Sequence, residues 1–136
     1  MEQEKIQYLE FIQNIINRMN SNSFQIKEWM ITIVSALLAL YASSSNIIYV
    51  FVAIAPTLVF WFLDSYYLQQ ERKFRGLYDD VINLEKSIPS FSMDISKYVD
   101  GRYKFCESLF SKTTASLYLI ITSILFVGGL LLGKVV

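Results

Sequence analysis

The sequence predicts an all-α integral membrane protein, and three observations carry that prediction. Residues 29 to 63 hold no Asp, Glu, Lys or Arg, a run of 35 positions, and residues 113 to 133 form a second run of the same kind. A soluble chain of 136 residues does not leave so much of its surface uncharged, whereas about 20 apolar residues are what a helix needs to cross a ~30 Å hydrocarbon core. The 54% hydrophobic and 18% charged content lie above and below ordinary globular values, in the direction a membrane chain requires. The expected architecture is an amphipathic cytoplasmic helix over 1–22, a transmembrane helical hairpin over 23–67, a helical cytoplasmic segment over 68–112 and a C-terminal transmembrane helix over 113–136.

Residues 1 to 20 read as the amphipathic helix. Ile6, Leu9, Ile12, Ile15, Ile16 and Met19 recur at helical spacing, with Glu10, Gln13, Asn14, Asn17 and Arg18 on the other side. Asn20-Ser21-Asn22-Ser23 predicts a stop there, with Ser23 capping the first span. The helix is mildly acidic and resembles a packing face more than a lipid-surface face.

The 35-residue run must hold two helices, because one helix of that length would measure roughly 50 Å. The break is expected at Ser43-Ser44-Ser45-Asn46, whose side chains bond their own backbone in turns. Span one then covers roughly 27–42, bracketed by Trp29 and Tyr41, and Ser35 and Ala39 offer it a small-residue face. Span two covers about 47–67 and contains Pro56, which predicts a kink with two readings, structural or a gating hinge. Its helix is expected to continue to about Lys86, weakened at Gly76, before a loop over 87–92. Residues 94–111 suggest one or two short helices broken near Asp100-Gly101. Span three covers 113–132, where Gly129 and Gly133 form a GxxxG spacing that suits close helix contact.

Basic residues orient the spans. Three of the twelve Lys and Arg precede span one and eight lie between spans two and three, so eleven stand on one side. The positive-inside rule then places the N-terminus and residues 68–112 in the cytoplasm, with the serine turn and the C-terminus outside.

Chemistry-bearing residues are few. The chain has no His and a single Cys, Cys106, which excludes an internal disulfide and any His-based triad or metal site. No nucleophile–base pair, phosphate loop or zinc spacing is present. The expectation is a non-enzyme without cofactor, metal or nucleic-acid partner. Asp64 stands out as an acid at the membrane end of span two. It reads either as part of an ion or proton pathway or as an interfacial acid bonded to a neighbouring helix end or to Lys27. Arg72, Lys73 and Arg75 form a basic cluster suited to lipid phosphate, to a nucleotide, or only to holding the helix on the cytoplasmic side.

A longer pattern runs through Arg18-Met19-Asn20-Ser21-Asn22-Ser23-Phe24, Ile26-Lys27-Glu28-Trp29, then Phe60-Trp61-Phe62-Leu63-Asp64-Ser65-Tyr66-Tyr67 and Gln70-Glu71-Arg72-Lys73-Phe74-Arg75, and ends at Phe91-Ser92-Met93. Together these resemble a family of small bacterial three-span membrane proteins. By analogy of architecture, such proteins resemble effectors of bacterial antiviral systems that damage the inner membrane on command. Independently of that resemblance, one hairpin plus one span buries little helix surface and leaves Ser35, Ala39, Gly129 and Gly133 without obvious use, which predicts a homo-oligomer in the lipid bilayer. The kinked span, the acid at membrane depth and the continuous helix put Asp64 and Pro56 near the cytoplasmic mouth of an assembly triggered by a cytosolic protein or small molecule. Asp64→Asn is then expected to weaken cation flux. The alternative is a membrane anchor or scaffold that docks a cytosolic partner.

Overall fold

The computed structural model describes residues 2–83 and 92–135 and is all-helical, with no strand among the described residues. Helix α1 spans Glu2–Ser44, α2 Ile48–Val52, α3 Ile54–Asn83, α4 Phe105–Leu109 and α5 Lys112–Val135, with a 3₁₀ turn at Gly101–Tyr103. Three stretches, Gln3–Ser44, Ile48–Asn83 and Lys112–Lys134, are long and apolar enough to cross a membrane.

Helix α1 runs without interruption for 43 residues, about 64 Å. The stop expected at 20–23 is absent, and Ser23 caps nothing there. The segment has no Gly or Pro, so Asn and Ser in a helix interior cost only a few tenths of a kcal/mol each, which lateral packing on α3 outweighs. Inward-facing residues recur every three to four positions near the chain start and again further along: Tyr8, Ile12 and Ile16, then Ile26, Met30 and Val34. Tyr8 takes the inward position expected of Ile6, which is exposed.

The turn at 43–46 forms as expected. Ser45 adopts φ 59°, and its N–H closes on the Tyr41 carbonyl at 2.7 Å, a left-handed helix stop. The Ser44 hydroxyl donates to the Leu40 carbonyl at 2.7 Å, and Asn46 Oδ1 accepts the Ile48 N–H at 3.1 Å to start α2. The second span is interrupted at Ala53, one turn before Pro56, which separates α2 from α3. Proline has no N–H for the Val52 carbonyl, and its ring crowds that same carbonyl, so the break falls there. The continuation past Asn83 to Lys86 and the loop expected over 87–91 lie outside the described residues.

Helix α3 is the central element. It packs along α1 as an antiparallel hairpin and also against α5, α4 and the 3₁₀ turn. The backbones of α1 and α5 do not meet, and between them lies an apolar groove of about 200 Å³ lined by Met30, Val34, Ser35, Ile121 and Leu125 among others. Two cores follow from this arrangement. A junction core joins Met30, Val34, Val50, Ala53, Trp61, Ala115, Tyr118 and Leu125. A distal core joins Tyr8, Ile12 and Ile16 of α1 to Leu77 and Val81 of α3, closed by Tyr98.

The segment from 92 to 110 straps the distal core and then descends along α3. Tyr8 donates its hydroxyl to the Ser92 carbonyl. Tyr98 donates to Asp80 Oδ2 at 2.6 Å, and Lys97 stands 3.8 Å from the same oxygen. Gln69 Nε2 donates to the Tyr103 carbonyl at 3.0 Å. The Tyr103 ring lies on Gly76, where an added Cβ would stand 3.0 Å from its Cζ. Gly76 therefore makes room for the close approach of the Tyr103 ring to α3, a role its low helix propensity conceals.

Candidate functional site: an ion pair at the helix junction

Asp64 is fully buried where α1, α3 and α5 converge. Its position follows from helical register. It lies on the face of α3 that carries Thr57 and Trp61 inward, so it points into the bundle. Lys27 Nζ reaches Asp64 Oδ2 at 2.5 Å. Ser23, one turn before Lys27, donates its hydroxyl to Asp64 Oδ1 and accepts from Lys27 Nζ at 2.9 Å. Tyr118 of α5 donates its hydroxyl to Asp64 Oδ2 at 3.0 Å. Long helical side chains lean toward the helix N-terminus, so Tyr118, entering α5 from the same end, reaches back to the acid.

The carboxylate thus has a cation and two hydroxyl donors, and both oxygens are used. Such a set compensates the loss of water that makes an isolated buried charge prohibitive. Lys27 keeps 26% of its side chain accessible and Asp64 none, so the cluster is sealed on the Asp64 side and partly exposed along Lys27. Around it, Ser65 and Thr57 satisfy themselves on the Trp61 and Ala53 carbonyls at 2.8 and 3.0 Å. The arrangement holds three helices on one carboxylate. In this conformation Asp64 meets no solvent, unlike a residue lining an open channel mouth.

Of the two readings of Asp64, the geometry matches the bond to Lys27. Ser23 and Tyr118 were not anticipated. A phenol buried in an apolar span needs an acceptor, and that is the signal Tyr118 offers in the sequence. Trp61 is buried, and its Nε1 donates to the Leu109 carbonyl at 3.0 Å. Tyr66 and Tyr67 meet edge-on at 5.7 Å, with Tyr66 exposed.

The remaining candidates do not gather at this site. Pro56 lies two turns along α3 from Asp64. Arg75 is held by Glu71 at 2.8 Å, and Arg72 Nη1 donates to the Arg102 carbonyl at 3.2 Å, so two of the three basic residues already have partners within the chain. Lys73 is half-buried. Gly129 faces Phe51, with an added Cβ 2.8 Å from the ring Cζ, whereas Gly133 faces open space. Ala39 is exposed on α1, and Ser35 borders the α1/α5 groove. Among the described residues no three acidic or thiol side chains come together as metal ligands would.

Comparison with known proteins found no matching family model, no similar curated protein and no similar solved structure.

Proposed function

We propose that the protein is a non-enzymatic, self-assembling effector of the bacterial inner membrane, switched through its cytoplasmic helices to perturb membrane potential or integrity, in the setting of anti-phage defence. The N-terminus lies in the cytoplasm and the C-terminus outside, from the basic-residue distribution. The observation that carries this reading is the place of the Lys27–Asp64 pair. It closes the junction of the three spans, and α1 and α3 run unbroken from it into the distal core. A cytosolic protein or small molecule that displaces the distal core works on the pair through two rigid helices. Closed, the pair is satisfied; opened, each charge must find water. The conformation described is the resting one, and Asp64 acts in it as a latch.

A second reading, an anchor that docks a soluble partner, is favoured by Phe11 and Ile6. They are 57% and 53% exposed on α1, and Phe11 stands about 24 Å along the helix from Lys27. Lipid does not reach that far, so a protein surface would have to cover them.

Expression in a bacterium with a potential-sensitive dye separates the two readings. The effector reading expects Asp64→Asn to depolarise the membrane without a trigger, while the wild type stays polarised until triggered. This reverses the direction expected for a mouth-lining acid. An intact potential for both proteins, with native partner and trigger supplied, would sink the effector reading and leave the anchor.

A further inference from the structure

Helix α4 does not stand clear of the spans; it folds back onto the end of one. Trp61 Nε1 donates to the Leu109 carbonyl at 3.0 Å, Phe105 stacks on Phe62 at 6.3 Å, and Phe110 meets the Trp61 ring edge-on at 6.2 Å. Trp61 and Phe62 belong to the apolar part of α3, about three turns before the basic cluster opens at Arg72. Residues 105–110 therefore sit at the depth of the last span turns, below the distal core.

Their exposure has a pattern. Phe110 is 64% exposed and Phe62 51%. On α3, Leu58, Phe62 and Tyr66 form an exposed stripe at i, i+4 spacing. Phe105 and Phe110 extend that stripe sideways. On α4 itself Ser108 is buried, while Cys106 and Glu107 are exposed, with Glu107 close enough to Arg72 to act on its charge, and the C-capping Phe110 is exposed beyond the helix end. Lys104 precedes the helix and Lys112 follows it, both exposed, with stems long enough to keep an ammonium in water above an apolar layer.

We propose that α4 and its C-cap form a membrane-surface element, with Cys106 and Phe110 among phospholipid acyl chains at the cytoplasmic boundary and Lys104 and Lys112 in the phosphate layer. Glu107 is turned to the Arg72 side. The proposal rests on the three-span reading. Its occupant is lipid because the face continues the outward surface of α3, which bilayer covers in that reading, and because basic residues flank it. The helix sets how deeply the Lys27–Asp64 junction sits.

The chain's single cysteine supplies the probe. A nitroxide on Cys106 of the full protein, in vesicles of phosphatidylcholine and phosphatidylglycerol, is tested for collision with oxygen and with a water-soluble nickel chelate. Reference labels stand at Asn14→Cys and Ala39→Cys, both exposed positions, in a Cys106→Ser background. The expected result is severalfold less nickel collision at Cys106 than at position 14, with oxygen collision near that at position 39. Nickel collision equal to that at position 14, with position 39 shielded, would overturn the proposal and leave the spans intact. Nickel reaching position 39 freely would overturn the three-span reading itself. Shielding of Cys106 from both quenchers would mean that a protein surface covers the face, and would also overturn the proposal.

Discussion

The Lys27 ammonium and the Asp64 carboxylate meet at 2.5 Å between α1 and α3, and the Tyr118 hydroxyl ties the same carboxylate to α5. A single acid therefore joins all three long helices. Removing one partner leaves the other charge poorly compensated, and removing both charges still leaves the buried Tyr118 hydroxyl without its acceptor. Asp64→Asn is expected to cost about 2 kcal/mol, below the usual range for a buried pair because Lys27 retains access to water. Lys27→Met with Asp64→Leu should recover most of that loss only when Tyr118→Phe removes the stranded hydroxyl too, so the double variant is made in the Tyr118→Phe background. Reversible unfolding in mixed detergent measures both, and a double variant less stable than Asp64→Asn would count against the pair as the source.

Gly76 is expected to resist substitution although it weakens α3 by propensity. Alanine there would gain about 1 kcal/mol of helix propensity, but its Cβ would stand 3.0 Å from Tyr103 Cζ and closer still to the hydroxyl. Overpacking of this kind typically costs 1–3 kcal/mol, so the net sign is loss. Hydrogen exchange should show faster amides at 98–104 in Gly76→Ala. Unchanged protection would mean that the ring moves away freely.

The distal core should loosen in alkali. Burial and the hydrogen bond to Asp80 push the Tyr98 phenol well above its ordinary value, and burial raises Tyr8 as well. A raised folded value means that the native state holds its proton after the unfolded chain has lost it. Stability from these groups is complete below about pH 10, the unfolded value, and falls as pH rises from there through the folded values. Unfolding followed by tyrosine absorbance should show that slope, and Tyr98→Phe should flatten it. An equal slope in both proteins would assign it elsewhere.

The three long apolar helices were legible because a long uncharged run sets its own helical length and needs no knowledge of neighbours. The serine turn was legible for a similar reason: Ser44 and Asn46 close it with local bonds. Asp64 was legible as an acid in need of a partner, and Lys27 was the nearest cation at the end of the other span. What depended on packing was hidden. Asn20–Ser23 carry the local chemistry of a helix stop, and contact with α3 overrides it. Tyr118 lies 54 positions from Asp64, and only the register of α5 on α3 brings them together. Gly76 looked like a weak point because nothing local announces the Tyr103 ring above it.

Gly129 and Gly133 should separate folding from assembly. In the sequence they form one GxxxG unit, yet among the described residues only the first receives a neighbour. Gly129 receives the Phe51 ring of α2, while Gly133, one turn on, has nothing within 4 Å. A side chain at 129 must displace an aromatic ring that fills the α2/α5 contact, so Gly129→Ile should destabilise the monomer by about 1–3 kcal/mol. At Gly133 an added Cβ has no atom of the described residues within 4 Å, so Gly133→Ile should leave the monomer unchanged. If the proposed assembly brings helices together on the open face at Gly133, the same substitution removes the close backbone approach that small residues permit. Native mass spectrometry in mild detergent should then show multiples of 15.8 kDa for the wild type and monomer for Gly133→Ile. Intact oligomers in Gly133→Ile would move the interface to another face, with the α1 surface at Ala39 the next to test. Monomer for the wild type in detergent and in nanodiscs would remove self-assembly from the proposed function.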